Sequence, residues 1–251
     1  MKTYLITGAG TGIGEAAALR LAESGARIIL AGRRLEPLEK VLSKLEGEGH
    51  HLLSVDVSNK SSLREGLKKV LDEGPLDGLF ANAGIGGENR YGEEDRWEQM
   101  IDINLSGAYY TVMESLPYLK RSKEKYRNIL ITSSCLARFG VPYYTAYCAS
   151  KSGLTGLVRA LAVELAPSRM LVNAILPGWV DTAMAKKGME ILAGHTHKPF
   201  EQVLKEQMGF VPLQKMSHPD EIAAYVEFFF SNAQTSITGQ CLDINNGSFM
   251  I

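Results

Sequence analysis

Tyr147 and Lys151 lie four apart in Tyr147-Cys148-Ala149-Ser150-Lys151. On a helix that spacing puts both side chains on one face, a turn apart. A phenol with a reference pKa of about 10 is a poor acid or base near neutrality. An ammonium beside it stabilises the phenolate and draws the phenol toward the range useful for general acid/base work. Ser134 precedes the tyrosine by thirteen residues and follows the apolar run Ile129-Leu130-Ile131. A hydroxyl at such a strand end can hold a carbonyl oxygen against the phenol. Solvated helix faces also carry Tyr-x-x-x-Lys, so the meaning of the pair depends on what positions it.

The first positioning element is a glycine loop. Residues 3–7 are apolar, Thr7-Gly8-Ala9-Gly10-Thr11-Gly12-Ile13-Gly14 follows, and a helical pattern with Ala17, Leu19, Leu21 and Ala22 comes next. Strand, glycine turn and helix let the backbone approach a pyrophosphate, and the helix amino terminus attracts it. The alternative is a plain glycine-rich turn. Ile13 stands where the general G-x-G-x-x-G pattern has its last glycine. The candidate contacts are Gly8, Thr11, Gly12, Ile13 and Gly14. A second strand, 27–31, ends at Gly32-Arg33-Arg34. An acidic residue there would bind the ribose hydroxyls of NAD. The two guanidinium groups suit a 2′-phosphate instead, which points to NADP(H), with NAD(H) possible and Arg33 the expected clamp. The other reading is a pair of solvated arginines opening a helix over 34–47.

A third strand, 51–55, leads to Asp56-Val57. Asp56 either accepts from an adenine amino group or caps the helix over 60–72. His50 and His51 read as exposed turn residues. The fourth strand, 77–81, ends at Asn82-Ala83-Gly84, where an amide can tie strand ends together and a glycine lets a cofactor pass. A long helix is expected over 95–123, with Asn104 as an amide in need of a partner. After the fifth strand, 128–132, the Tyr147 helix runs on through Leu154, Leu157, Leu161 and Leu165, a stripe suited to burial or to a partner helix. The sixth strand, 171–176, stops at Pro177-Gly178. Residues 183–216 break the alternation and are expected to form a substrate lid or pocket. No third ligand accompanies His195 and His197, so no metal is expected. A helix opens at Ser217-His218-Pro219-Asp220, and 240–244 forms the seventh strand.

This alternation specifies an α/β fold: a single doubly wound Rossmann-type domain over 1–251, its seven-stranded, mainly parallel sheet carrying helices on both faces. A net charge of -1 without a basic cluster argues against nucleic acid, and no apolar run has membrane length. The amino-terminal apolar segment is too short for a signal peptide. Three scattered cysteines fit a reducing, cytoplasmic setting.

Taken in order, these motifs resemble the short-chain dehydrogenase/reductase family over essentially the whole chain. The resemblance rests on Thr7-Gly8-x-x-x-Gly12-x-Gly14, Asp56-Val57, Asn82-Ala83-Gly84, Asn104, Ser134, Tyr147 with Lys151, and Pro177-Gly178 with Thr182. It implies that Tyr147 is the general acid/base and that Lys151 lowers its pKa while binding the nicotinamide ribose. Ser134 would orient the carbonyl, and Asn104 would hold a water in a proton relay to Lys151. Asn82, Ala83, Gly84, Pro177, Gly178, Val180 and Thr182 would line the nicotinamide pocket. The implied reaction is NADP(H)-dependent interconversion of a carbonyl and an alcohol by a homotetramer or homodimer packed through the 95–123 and 147–166 helices. Tyr143, Tyr144, Trp179 and Met184 are the expected walls for a modestly apolar substrate. Ile85-Gly86-Gly87-Glu88-Asn89-Arg90 lacks the Thr-Arg-Asp of the family's 3-oxoacyl reductases, which makes such a reductase an alternative. A non-catalytic NADP(H)-binding regulator is a second alternative, against which the complete Ser134, Tyr147, Lys151 and Asn104 set argues.

Overall fold

The computed structural model describes residues 1–72, 74–93, 95–231 and 233–250. Seven short apolar runs become strands: β1 (Thr3–Thr7), β2 (Arg27–Gly32), β3 (His51–Ser54), β4 (Gly78–Ala81), β5 (Arg127–Thr132), β6 (Met170–Pro177) and β7 (Cys241–Ile244). They form one sheet in the order β3-β2-β1-β4-β5-β6-β7. Every pairing among them is parallel, with Leu5 level with both Ile29 and Leu79, and Ala81 level with Ile131. The order reverses between β1 and β4, so their carboxyl ends open a crevice, the place where ligands enter such sheets.

Side chains alternate across the strands and build two cores. Leu5, Ile29, Leu79, Ile129 and Val172 face the layer of α3 (Lys60–Leu71), α5 (Gly107–Leu119) and α6 (Thr145–Leu165). Tyr4, Ile6, Leu30, Phe80 and Ile175 face α1 (Gly12–Glu23), α2 (Leu35–Leu42) and α9 (Pro219–Phe230). The 183–216 stretch folds into α7 (Ala183–Thr196) and α8 (Phe200–Gly209), closed over a small core of Met189, Val203, Met208 and Val211. Among the described residues no helix is long and apolar enough to cross a membrane.

Several sequence expectations shift. The helix expected over 34–47 stops at Leu42, and Gly47 and Gly49, both at positive φ, turn the chain into β3. The helix expected over 95–123 is three pieces: α4 (Trp97–Met100), a π-helical turn (Ile101–Ser106) and α5, which ends at Leu119. The turn carries Asn104 toward the loop after β4, and the polar run Lys120-Arg121-Ser122-Lys123 has no apolar face to bury. His50 is not a free turn residue: its ring nitrogen accepts from the Ile28 N–H at 3.1 Å, and His51 opens β3 opposite Ile29. The leucine stripe of α6 belongs to the core. Leu154, Leu161 and Leu165 are buried against the sheet, Leu157 packs beside them, and the outward face shows Arg159, Ala160, Val163 and Glu164 instead.

Asn173 shows how β6 is held. Its amide donates to the Ile237 carbonyl at 2.8 Å and accepts from the Gln240 N–H at 3.0 Å, within a buried setting. Asn173→Ala strands both backbone groups, so urea denaturation should show a loss of about 1–3 kcal/mol. A midpoint at the wild-type value would remove Asn173 from the forces that hold β6 in place.

Candidate active site

The crevice begins with the glycine loop. Gly8 (φ +66°) and Gly12 (φ +60°) adopt backbone angles that side chains disfavour, and a Cβ on Gly14 would stand 2.2 Å from the Gly8 carbonyl oxygen. Thr11 makes no side-chain cap on α1, which leaves first-turn N–H groups to another acceptor. Ile13 packs into the core below. Bare backbone, a tight turn and an uncapped helix start make a cradle of the kind that suits a phosphate.

Asn82 fastens three strand ends around it. Its amide donates to the Thr7 carbonyl at 3.2 Å and to that of Gly8 at 3.4 Å, while its oxygen accepts from the Thr132 hydroxyl at 3.0 Å. The Thr7 hydroxyl accepts in turn from the N–H groups of Asn82 and Ala83, both at 3.1 Å. On the other rim Gly178 donates to the Ile244 carbonyl at 3.0 Å, and a Cβ there would meet Asn245 at 2.9 Å. Pro177 ends β6, and Val180 is buried and bridges to Ser217. Thr182 caps α7 through the Ala185 N–H at 3.3 Å, its methyl 3.0 Å from where a Gly12 Cβ would be.

Arg33 and Arg34 stand exposed after β2, with no carboxylate at the strand end. Partial burial pushes the Asp56 carboxyl up, but the Ser58 hydroxyl and N–H and the Arg33 charge outweigh it, leaving the group below its ordinary value. Asp56 does not cap α3; Asn59 does, accepting from Ser62 at 3.0 Å. Val57 lies in the core against Gly107, so only its backbone is offered to a ligand.

The chemistry-bearing group assembles beside this cradle. Ser134 lies two residues past β5, its hydroxyl oxygen accepting from the Leu136 N–H at 3.1 Å. Tyr147 and Lys151 project from α6 with the Lys151 nitrogen 5.7 Å from the phenol ring centre. That nitrogen is buried and donates to the Thr132 carbonyl at 2.8 Å. It lies 3.4 Å from where a Cβ on Gly84 would be, and the Asn104 oxygen lies 3.2 Å from the same point. Asn104 is fully partnered: it accepts from the Ile85 N–H at 2.8 Å and donates to the Ile85 carbonyl at 3.0 Å and the Ser150 hydroxyl at 3.2 Å.

Of the four expected substrate walls, three come together. Met184 sulfur lies 3.1 Å from a Cβ built on Gly86, and the Tyr147 ring 3.6 Å from it. Trp179 and the Tyr144 hydroxyl both lie within 4.0 Å of a Cβ built on Gly188, and Tyr144 meets Tyr147 edge to face at 6.3 Å. Tyr143 is different. Held at φ +64°, it lies under the Arg90 guanidinium at 3.9 Å and lines another concavity of about 780 Å³ with Asn89, Asp95 and Trp97. The motifs also passed over Ser133, whose hydroxyl donates to the Lys151 carbonyl at 2.7 Å, and Ser150, which donates to the Tyr147 carbonyl at 2.8 Å.

Electrostatics correct one expectation. Burial pushes the Tyr147 phenol up to about 12, with Ser134 hydrogen bonding pulling the other way, whereas the lysine was expected to bring it down. Burial also pushes Lys151 down to about 8. Desolvation disfavours whichever form carries charge, so it moves an acid up and a base down.

The profile of the short chain dehydrogenase family matches residues 2–191. A 3-oxoacyl-[acyl-carrier-protein] reductase of Thermotoga maritima is 32% identical over 252 residues, covering 98% of this chain and 97% of that protein. An oxidoreductase, UcpA, of Salmonella typhimurium is 36% identical over 253 residues, covering 98% and 94%. Among solved structures, an actinorhodin polyketide ketoreductase variant with NADPH superimposes with a TM-score of 0.92 at 28% identity, covering 98% of this chain and 97% of that one.

The buried ammonium is measurable through stability. Lys151 titrates near 8 in the folded chain against 10.5 as a free side chain, so between those values the unfolded chain binds more protons. Its contribution is therefore present above 10.5 and is lost as pH falls through 8. Wild type should gain up to about 3 kcal/mol relative to Lys151→Met as pH rises from about 8 to 10. A pH-independent difference in urea denaturation would show that the ammonium is not desolvated.

Proposed function

Because the chain belongs to the short chain dehydrogenase family, we propose that it is an NADP(H)-dependent oxidoreductase interconverting a ketone or aldehyde with the corresponding alcohol. The observation that carries this reading is the gathering of Ser134, Tyr147 and Lys151 beside the glycine cradle, on the ligand end of the sheet. Gly8, Thr11, Gly12 and Gly14 would hold the dinucleotide phosphates, Arg33 and Arg34 the 2′-phosphate, and Asp56 the adenine. Asn82, Gly84, Pro177, Gly178, Val180 and Thr182 would frame the nicotinamide end. The nicotinamide, when bound, supplies or accepts the hydride.

The remaining steps belong to the chain. In the reductive direction Tyr147, kept protonated by burial, gives its phenol proton to the substrate oxygen. The Ser134 hydroxyl donates to the same oxygen, and the two fixed dipoles stabilise the charge that develops there. Lys151 holds the ribose and stabilises the phenolate that remains, and Asn104 stands beside it in the relay that returns the proton. Residues 183–216 cover the substrate, with Tyr144, Trp179 and Met184 as its apolar walls. A homotetramer or homodimer through α5 and α6 is the assembly we favour, with Tyr109 and Val163 exposed for it.

One observation supports a 3-oxoacyl thioester as the substrate: a relative 32% identical over nearly its whole length carries that name. Parallel assays with simple ketones, diketones and 3-oxoacyl thioesters separate the two readings. Tyr147→Phe should cut kcat by about 10²–10⁴ while NADPH affinity stays within about threefold. Turnover at the wild-type rate in that variant would sink the proton-transfer role. Arg33→Ala should weaken NADPH about tenfold and leave NADH nearly unchanged, since a charge-assisted contact to the extra phosphate is lost. Equal losses for both cofactors, measured by fluorescence titration, would overturn the NADP(H) preference.

A further inference from the structure

The helix that carries Tyr147 and Lys151 has no cap of its own. Tyr144 occupies the capping position and makes no side-chain bond there. First-turn N–H groups need an acceptor, and here it comes from the loop after β4. The Asn89 side-chain oxygen accepts from the Ala146 N–H at 2.9 Å and from the Thr145 hydroxyl at 2.7 Å. Its nitrogen donates to Asp95 at 3.1 Å, and the same Asp95 oxygen accepts from the Trp97 N–H at 2.9 Å, at the start of α4. The Asn89 backbone N–H donates to the Tyr143 carbonyl at 2.8 Å, next to the left-handed backbone of Tyr143. Asn89 is buried. Its orientation follows from chemistry alone: a backbone N–H can only donate and a carboxylate can only accept, so the oxygen must face α6 and the nitrogen Asp95.

We infer that Asn89 is a positioning residue for Tyr147, resting on the acid/base reading of that phenol. Ala146, which it caps, immediately precedes Tyr147. Slipping the start of a helix by one residue turns its side chains by about 100°, which would carry the phenol away from Ser134. The loop that Asn89 fastens begins at Gly84 beside Lys151 and passes Gly86 beside the Tyr147 ring. One amide thus sets the start of the helix against the strand end that frames the cofactor side.

The decisive variants are Asn89→Ala and the swap Asn89→Asp with Asp95→Asn. In the swap the aspartate still accepts from Ala146 and Thr145, which keeps the cap on α6. The atom of residue 95 that faces both Asn89 and Trp97 becomes an amide nitrogen that donates to the aspartate, and only the Trp97 N–H at the start of α4 loses its acceptor. Asn89→Ala should lower kcat for carbonyl reduction between about tenfold and a hundredfold, with KM and NADPH affinity within about twofold. The swap should return kcat to within about threefold of wild type. A readout free of any substrate is amide hydrogen exchange over residues 145–148, expected at least about tenfold faster in Asn89→Ala and restored in the swap. Wild-type exchange and kcat in Asn89→Ala would overturn the inference, as would a swap that recovers thermal stability but not exchange. If the wild type reduces no carbonyl compound at all, the proposed function fails, while the exchange experiment still decides the role of Asn89.

Discussion

The upper edge of the sheet is arranged around a lysine ammonium held by a main-chain carbonyl and shut off from water. Burying such a charge is costly, and one hydrogen bond to the Thr132 carbonyl offsets only part of the cost. The geometry must therefore be enforced from elsewhere. Gly84 has no side chain to block the nitrogen, and Ser133 ties the Lys151 backbone to the end of β5. Asn82 locks the ends of β1, β4 and β5 at one level. Lys151 sits where it does because three strands end in register, and the glycine cradle is held in place by the same amide. The glycine cradle and the Tyr147–Lys151 pair are in this sense one structure.

Much of this was legible in the sequence because the residues concerned sit at strand ends or on a strongly periodic helix. Gly8, Gly12, Gly14, Asn82 and Ser134 follow apolar runs whose period announces strands, and Tyr147 with Lys151 share a helix face by spacing alone. What stayed hidden depends on packing between distant segments. The direction of the Tyr147 shift is a matter of how much water the surrounding elements exclude, which spacing does not encode. The leucines of α6 have the same period whether they face a sheet or a partner. The π-helical turn at Asn104 comes from the demand of Ile85, far away in the chain, for both of its backbone groups. Asn89 carried no signal, since its partners Thr145 and Ala146 lie 56 and 57 residues further on. Tyr143 sits apart from the other expected walls, where a left-handed backbone angle at a non-glycine residue accompanies its contact with Arg90, a feature that residue spacing does not encode.

The opposed shifts of Tyr147 and Lys151 also bear on which chemistry the pair suits. Raising the phenol from 10 to about 12 corresponds to about 3 kcal/mol against the phenolate. An ammonium whose nitrogen lies 5.7 Å from the phenol ring centre attracts a phenolate and works against that penalty. Lys151 can therefore offset the penalty of burial only while it is charged, and burial lets it lose that charge near pH 8. Below that value Tyr147 is an acid at rest and its anion is tolerated once a proton has been given away. A solvated phenol would ionise more easily but would lack a fixed partner. A phenol buried without the lysine would release its proton to nothing. On the acid/base role proposed for Tyr147, the pairing of the two, one turn apart on a single helix, would give a donor that is inert until a substrate oxygen takes up negative charge beside it, which is the demand that carbonyl reduction makes.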